Sequence, residues 1–348
     1  MSKEKRIELL KKIQSERKTD RETLVISYIT STRTNLDTPM AMDSVRLIFD
    51  HIIAFRKDHG EMDVDLFLHS NGGDGTVPWR LVTLIREYSK KFSVLIPFRA
   101  FSAATLTALG ADEIVIHPMG MLGPTDPTVA NDFNPSNPAN PQQKLGISVE
   151  DVTAYINLIK EDAGITHEDE LVQAFNKLPE QIHPLALGNV KRSLAQSRMM
   201  ANKLLSLHMD SAKEQHEIQE IVDNLTSKLY YHGHPINRIE AKKQVGIKAI
   251  SKSNETVENL MWELYLQYEE EMKLQIPFAP VFEFIQQSPN LTSGQSNRTP
   301  RSIAKLVYIE SVNKTDVNVL EYEILGTMDA KGIINTQLLT FFQGWKTE

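Results

Sequence analysis

Between residues 22 and 117 the chain alternates short β-branched and aromatic runs with amphipathic stretches. No other feature of the sequence restricts the fold as much. ETLVISYITS (22–31), VDLFLHS (64–70), FSVLIP (92–97) and EIVIH (113–117) read as strands. Residues 39–58 carry Met42, Val45, Ile48, Ile52 and Phe55 at helical spacing. Residues 77–90 and the small-residue run 102–111 read as further helices. Strands that alternate with helices need crossover connections, so the expected class is α/β, a mostly parallel sheet built from βαβ units.

The pattern breaks at 128–143 (TVANDFNPSNPANPQQ), where Asn and Pro crowd and no periodicity survives, which predicts an irregular loop. From 148 to 229 the sequence is helical. Ser148, Glu150 and Asp151 mark a helix start, and long helices are expected over 191–209 and 216–230. Met199, Met200 and Met209 read as core filler. Residues 280–348 end in two β-rich runs flanking Asn313-Lys314-Thr315-Asp316, a hairpin pattern. The expected organisation is a charged, solvated N-terminal helix (1–21), a catalytic domain (22–275) and a small β-containing module (280–348).

Composition narrows the function. The chain is 41% hydrophobic and 24% charged, as in ordinary globular proteins. A net charge of -7 gives no general basic face for nucleic acid, so no nucleic-acid partner is expected. There is no cysteine, which excludes a thiol nucleophile, a disulfide framework and thiolate-ligated zinc, and which fits a cytoplasmic setting. No run of about 18 apolar residues predicts a membrane span.

Acyl-transfer chemistry needs a nucleophile, a base and donors for the tetrahedral oxyanion. Ser70-Asn71-Gly72-Gly73 closes a strand, and its paired glycines let the backbone turn sharply and present N–H groups where α/β folds bind ligands. Phe101-Ser102-Ala103-Ala104-Thr105 follows the next strand and opens a helix. Ser102 there could simply cap the helix; the functional alternative aims its hydroxyl into the crevice while Ala103 N–H faces an oxyanion. His117 reads as structural. Two histidines, His232 and His234, lack a third metal ligand and read as part of a hydrogen-bonded turn, so no metal or other cofactor is expected.

Taken together, HSNGGDG, IPFRAFSAATLTALGADEIVIHP and MLGPTDP resemble signal peptide peptidase A and the Clp protease catalytic subunit. They are most similar to the serine dehydrogenase proteinase family of the Clp/crotonase fold. Ala111-Asp112-Glu113-Ile114, the Leu122–Pro127 segment and LTSKLYYHGHPINRIEAKKQVGI (225–247) carry further parts of the resemblance, which spans roughly residues 20–250. The resemblance implies Ser102 as nucleophile, with N–H groups of Gly72 or Gly73 and of Ala103 as the oxyanion hole. Relatives often have glycines where this chain has Ala103 and Ala104. Pro127 stands where the Clp subunit has its histidine, so a lysine base is implied instead. Lys144, beside Leu145 and Ile147, is the leading candidate and Lys160 the second; a lysine base must be desolvated enough to be neutral near pH 7. Asp126 is expected to cap a turn in the pocket wall.

The resemblance therefore implies a serine peptidase acting on a peptide or unfolded protein, and a homo-oligomer. Two alternatives stay open: an inactive Clp-fold binding protein, and an acyl-thioester enzyme, which would need no nucleophilic serine.

Overall fold

A computed structural model describes residues 3–126, 128–129, 131–138, 140–228, 233–288 and 291–348, with backbone only at 128–129, 149–150 and 227–228. The expected α/β class is the one observed, and its centre is a nine-stranded sheet. The strands are β1 (Glu22–Thr30), β2 (Met62–His69), β3 (Ser89–Ile96), β4 (Glu113–Ile116), β5 (Ile250–Ser251), β6 (Ser296–Arg298), β7 (Ser302–Ser311), β8 (Lys314–Met328) and β9 (Ile334–Thr347). Across the sheet they run β5-β4-β3-β2-β1-β7-β8-β6, with β9 also paired to β8. From β5 to β1 every neighbouring pair is parallel.

Helices α2 (Asp43–His59), α3 (Val77–Tyr88) and α4 (Ala103–Leu109) supply the crossovers between β1, β2, β3 and β4. Because helices cover both faces, β1 and β2 are buried almost end to end, and both read as continuous apolar runs. The pleat still sorts their side chains. Leu24, Ile26 and Tyr28 pack toward α2 to α4, while Val25 and Ile29 pack toward α1 (Lys3–Arg17) and a late helix, Glu255–Glu271.

Two parts of the expected organisation differ. Residues 280–348 continue the central sheet: β7 pairs antiparallel with β1, Ser27 lying opposite Glu310. The hairpin expected near Asn313 is present, with Ser311 opposite Lys314. The N-terminal helix is docked, not solvated. Its Leu9, Leu10 and Ile13 are fully buried, and its buried Arg6 donates to Glu310 at 2.8 Å. Glu310 also accepts from Tyr268 Oη and Thr315 Oγ1, which satisfies a carboxylate that would otherwise be costly to bury.

The 128–143 segment carries more order than expected, a hairpin of Ser136–Asn137 with Asn140–Lys144 above a stem pairing Thr128–Val129 with Ile147–Ser148. Next, within the stretch expected to be helical, come a helix at Val149–Asn157, another at Glu168–Gln181 and α5 (Pro184–Leu205). Met200 and Met209 are buried, whereas Met199 is exposed. Among the described residues no helix is long and apolar enough to cross a membrane.

The two ends of the parallel strands differ in chemistry. At the amino ends, Arg17 pairs with Asp65 and Glu113, Arg21 with Asp63, and Lys91 with Glu113. The carboxyl ends instead open into a largely uncharged crevice.

Candidate active site

The site begins where β2 ends. Ser70 N–H donates to Arg99 O at 2.9 Å, and Phe101 N–H donates to Ser70 O at 3.0 Å. These rungs continue the sheet pairing by one residue and fix the glycine turn against the segment that leads into α4. Ser70 Oγ accepts from Thr30 Oγ1 at 2.8 Å and from Gly72 N–H at 3.0 Å. Gly72 O accepts from Met40 N–H, and Met40 O from Asp74 N–H. The turn is thus held on three sides.

Both glycines are required by this geometry. Gly72 has φ +101°, and a Cβ there would lie 2.7 Å from Phe101 O and 2.8 Å from Ser102 Cβ. At Gly73 it would lie 2.4 Å from Met40 N and O. Because Gly72 N–H is spent on Ser70 Oγ, Gly73 is left as the outward donor: no hydrogen bond to its N–H is found among the described residues.

Ser102 stands at the N-terminus of α4 with φ +52° and ψ −114°. It is one of three non-glycine residues at positive φ among those described. Such a conformation costs about 1–3 kcal/mol and persists only where the surroundings enforce it. The capping role is not used, since the Ser102 side chain makes no cap hydrogen bond. The residue is half-buried, at the edge of a cleft of about 360 Å³. Behind it α4 is buried throughout, which explains its small residues. Thr105 Oγ1 lies 2.7 Å from Ala100 O and accepts from Gly123 N–H at 3.1 Å, tying the elbow to the Leu122–Pro127 segment.

Asn71, Gly73, Ser102, Ala103 and Leu106 line one side of the cleft, and Thr125 with Ser193, Gln196 and Ser197 of α5 complete it. None of these side chains is charged. Ser197 Oγ donates to Thr125 O, and Thr125 N–H donates to Leu225 O, so the Thr125 backbone is held at both ends. The α5 residues escaped the sequence reading because polar residues on an amphipathic helix look like an ordinary solvated face. Asp126, next to Thr125, is fully buried.

The structure brings together the nucleophile and donor candidates but not the base. Lys144 is exposed on the Ser136–Lys144 hairpin, with Nζ 3.3 Å from Ser136 Oγ. Lys160 is exposed in the helical arm, beside an apolar groove with Ile156, Leu171 and Phe175 that holds no candidate nucleophile. Among the described residues no lysine or histidine lines the Ser102 cleft. His69 is fully buried, and burial, with Arg99 nearby, pushes its imidazole down to about 3, so it stays neutral. Its Nδ1 accepts from Arg99 N–H and its Nε2 lies 3.1 Å from Thr32 Oγ1. His117 stacks on Trp262 and accepts from Met119 N–H, a structural arrangement. His234 Nε2 lies 2.7 Å from Oε1 of Glu240, which ends the short helix Arg238–Glu240; His232 is outside the described residues.

Comparison with known proteins finds distant relatives and a family match. Two uncharacterized proteins of Methanocaldococcus jannaschii are 24% and 25% identical to the chain over 214 residues. Each alignment takes in 62% of this chain, with 61% of the first relative and 62% of the second. The chain therefore spans about three fifths of the length of the curated relatives it matches. Among solved structures, one similar chain is a mutant of the 1510-N membrane-bound stomatin-specific protease in complex with a substrate peptide. It is 14% identical, with a TM-score of 0.37, covering 61% of this chain and 71% of that one. A second mutant of the same protease gives 15% identity and a TM-score of 0.32, covering 60% and 72%. The family model for ClpP-like SDH-type serine proteinases matches residues 1–181, which include the glycine turn, the Ser102 elbow and the hairpin bearing Lys144. The chain belongs to the ClpP-like SDH-type serine proteinase family.

Proposed function

We propose that the protein is a serine peptidase in which Ser102 Oγ attacks the carbonyl carbon of a peptide bond. The N–H groups of Gly73 and Ala103 receive the oxyanion, with Gly72 providing the close approach of the two segments. The proton leaves Ser102 for a base and passes to the departing amine; water then releases the acyl group by the reverse transfer. The strained backbone of Ser102, with its hydroxyl uncommitted to helix capping, is the observation that carries this reading.

The base in this reading is Lys144, with Lys160 second. Its hairpin rises from a stem that starts at Thr128, three residues beyond Thr125 in the cleft lining. The substrate is an extended peptide or unfolded chain and the assembly a homo-oligomer, as the family resemblance implies, and the cysteine-free composition fits a cytoplasmic setting. The absence of a base from the described cleft favours one alternative, a member that binds peptides without cutting them.

Cleavage of unfolded casein and of a fluorogenic peptide library by the wild type, Ser102→Ala, Lys144→Ala and Lys160→Ala tests the assignment. Activity should vanish in Ser102→Ala and fall by at least 10²-fold in Lys144→Ala, with Lys160→Ala near wild type. Peptide binding without cleavage by the wild type would favour the alternative.

A further inference from the structure

One hydroxyl in the wall of the Ser102 cleft has no hydrogen bond among the described residues. Thr125 is only 3% exposed, it lines the cleft, and its Oγ1 makes no hydrogen bond among the described residues. Buried hydroxyls are nearly always partnered, because desolvation without compensation is unfavourable. The backbone of Thr125 cannot shift easily to find a partner, being bonded to Ser197 and Leu225. Ser193 and Gln196 of α5 add a hydroxyl and a carboxamide to the same cleft, and no charged side chain lines it.

We propose that Thr125, Ser193 and Gln196 form the subsite for the substrate side chain adjacent to the scissile bond. This subsite takes an uncharged hydrogen-bonding side chain, a hydroxyl or a carboxamide. A carboxylate or ammonium would lose water there and meet no countercharge. An aliphatic side chain would leave Thr125 Oγ1 unpaired and add the desolvation of Gln196 and Ser193. Sites built around such donors and acceptors reject the analogue that lacks them far more strongly than apolar pockets reject an extra methylene. All three residues lie in segments tied to the elbow: Thr125 follows Gly123, which bonds Thr105 of α4. Thr125 Oγ1 is itself closed off in the cleft wall, so a turn of the Thr125 side chain brings it to the substrate while the backbone around Ser102 stays in place. This inference rests on the hydrolase reading and adds the substrate class to it.

The test is a randomised peptide library digested by the full-length protein, with cleavage sites read by mass spectrometry, beside fluorophosphonate labelling of Ser102. Cleavage should concentrate at Ser, Thr, Asn and Gln. In Thr125→Val the ratio of cleavage at these residues to cleavage at Ala and Val should fall tenfold or more, about the range found when one matched polar contact is lost. Its thermal midpoint should equal or exceed that of the wild type, because a desolvated hydroxyl without a partner is removed. Gln196→Leu, at the exposed rim, should move the preference toward aliphatic residues and serves if Thr125→Val fails to fold. Ser102-dependent cleavage at aliphatic or charged residues, with a profile unmoved by both variants, would overturn the subsite and leave the hydrolase intact. If Ser102 takes no label and no peptide is cut, the hydrolase reading falls and the subsite with it.

Discussion

Replacing Ser102 by glycine and by alanine separates a strained elbow from an ordinary helix start. Both variants lose the hydroxyl, so its interactions cancel in the comparison. Alanine keeps a Cβ and must still hold φ +52°, ψ −114°, whereas glycine adopts that region freely. Release of strain is worth about 1–3 kcal/mol, and the added freedom of glycine in the unfolded chain takes back roughly 0.4–1 kcal/mol. Ser102→Gly should therefore be the more stable of the two by about 0.5–2 kcal/mol. Urea midpoints from circular dichroism and tryptophan emission give the difference directly, and neither variant should label with a fluorophosphonate. A Ser102→Gly protein less stable than Ser102→Ala by about 0.5–1 kcal/mol, the usual order for these residues in regular structure, would refute the strained-elbow argument.

Other consequences follow from the same geometry. Gly72→Ala should cost about 2–5 kcal/mol, combining strain and overpacking, and slow labelling of Ser102 by at least 10²-fold through displacement of the elbow; denaturation midpoints and labelling rates check both. Arg6→Met should cost about 3–5 kcal/mol by stranding the buried Glu310, and the Arg6→Met/Glu310→Met pair should cost less than the sum of the singles, as a double-mutant cycle in urea would reveal. Glu113 is pushed up by burial but held down overall, to about 2, by hydrogen bonds from Arg17, Lys91 and Ser251. A carboxylate depressed in the folded state stabilises above its ordinary value of 4.5 and loses that contribution as pH falls toward 2. The stability gap between wild type and Glu113→Gln should accordingly shrink across that window, measured by urea titrations at stepped pH.

The parallel core was legible because strands buried on both faces leave continuous apolar runs, and its turns carry glycine where the backbone demands it. Ser102 was legible for a related reason: only small residues fit α4, and a serine heading such a run stands out. The joining of residues 280–348 to β1 was not. That pairing spans most of the chain and leaves no local trace; its register is fixed by Glu310 meeting Arg6, Tyr268 and Thr315. Arg6 likewise made α1 look solvated, since nothing near it in sequence announces a buried carboxylate. Ser193 and Gln196 were hidden because a polar residue facing a cleft and one facing bulk water obey the same helical periodicity, and Thr125 because it lies in an irregular segment with no periodicity to read. Lys144 was favoured by its apolar neighbours, yet Leu145 is itself exposed on that hairpin, so neighbours in sequence gave no burial.

A strained, uncapped Ser102 is, in this reading, a working nucleophile. Intact-mass and peptide-mapping spectrometry after treatment with a fluorophosphonate tests it most directly. One adduct per chain is expected, on the peptide containing Ser102, absent from unfolded protein and slowed in Gly72→Ala. A folded protein that takes no adduct across pH 6–10, or takes it on a different serine, would contradict it.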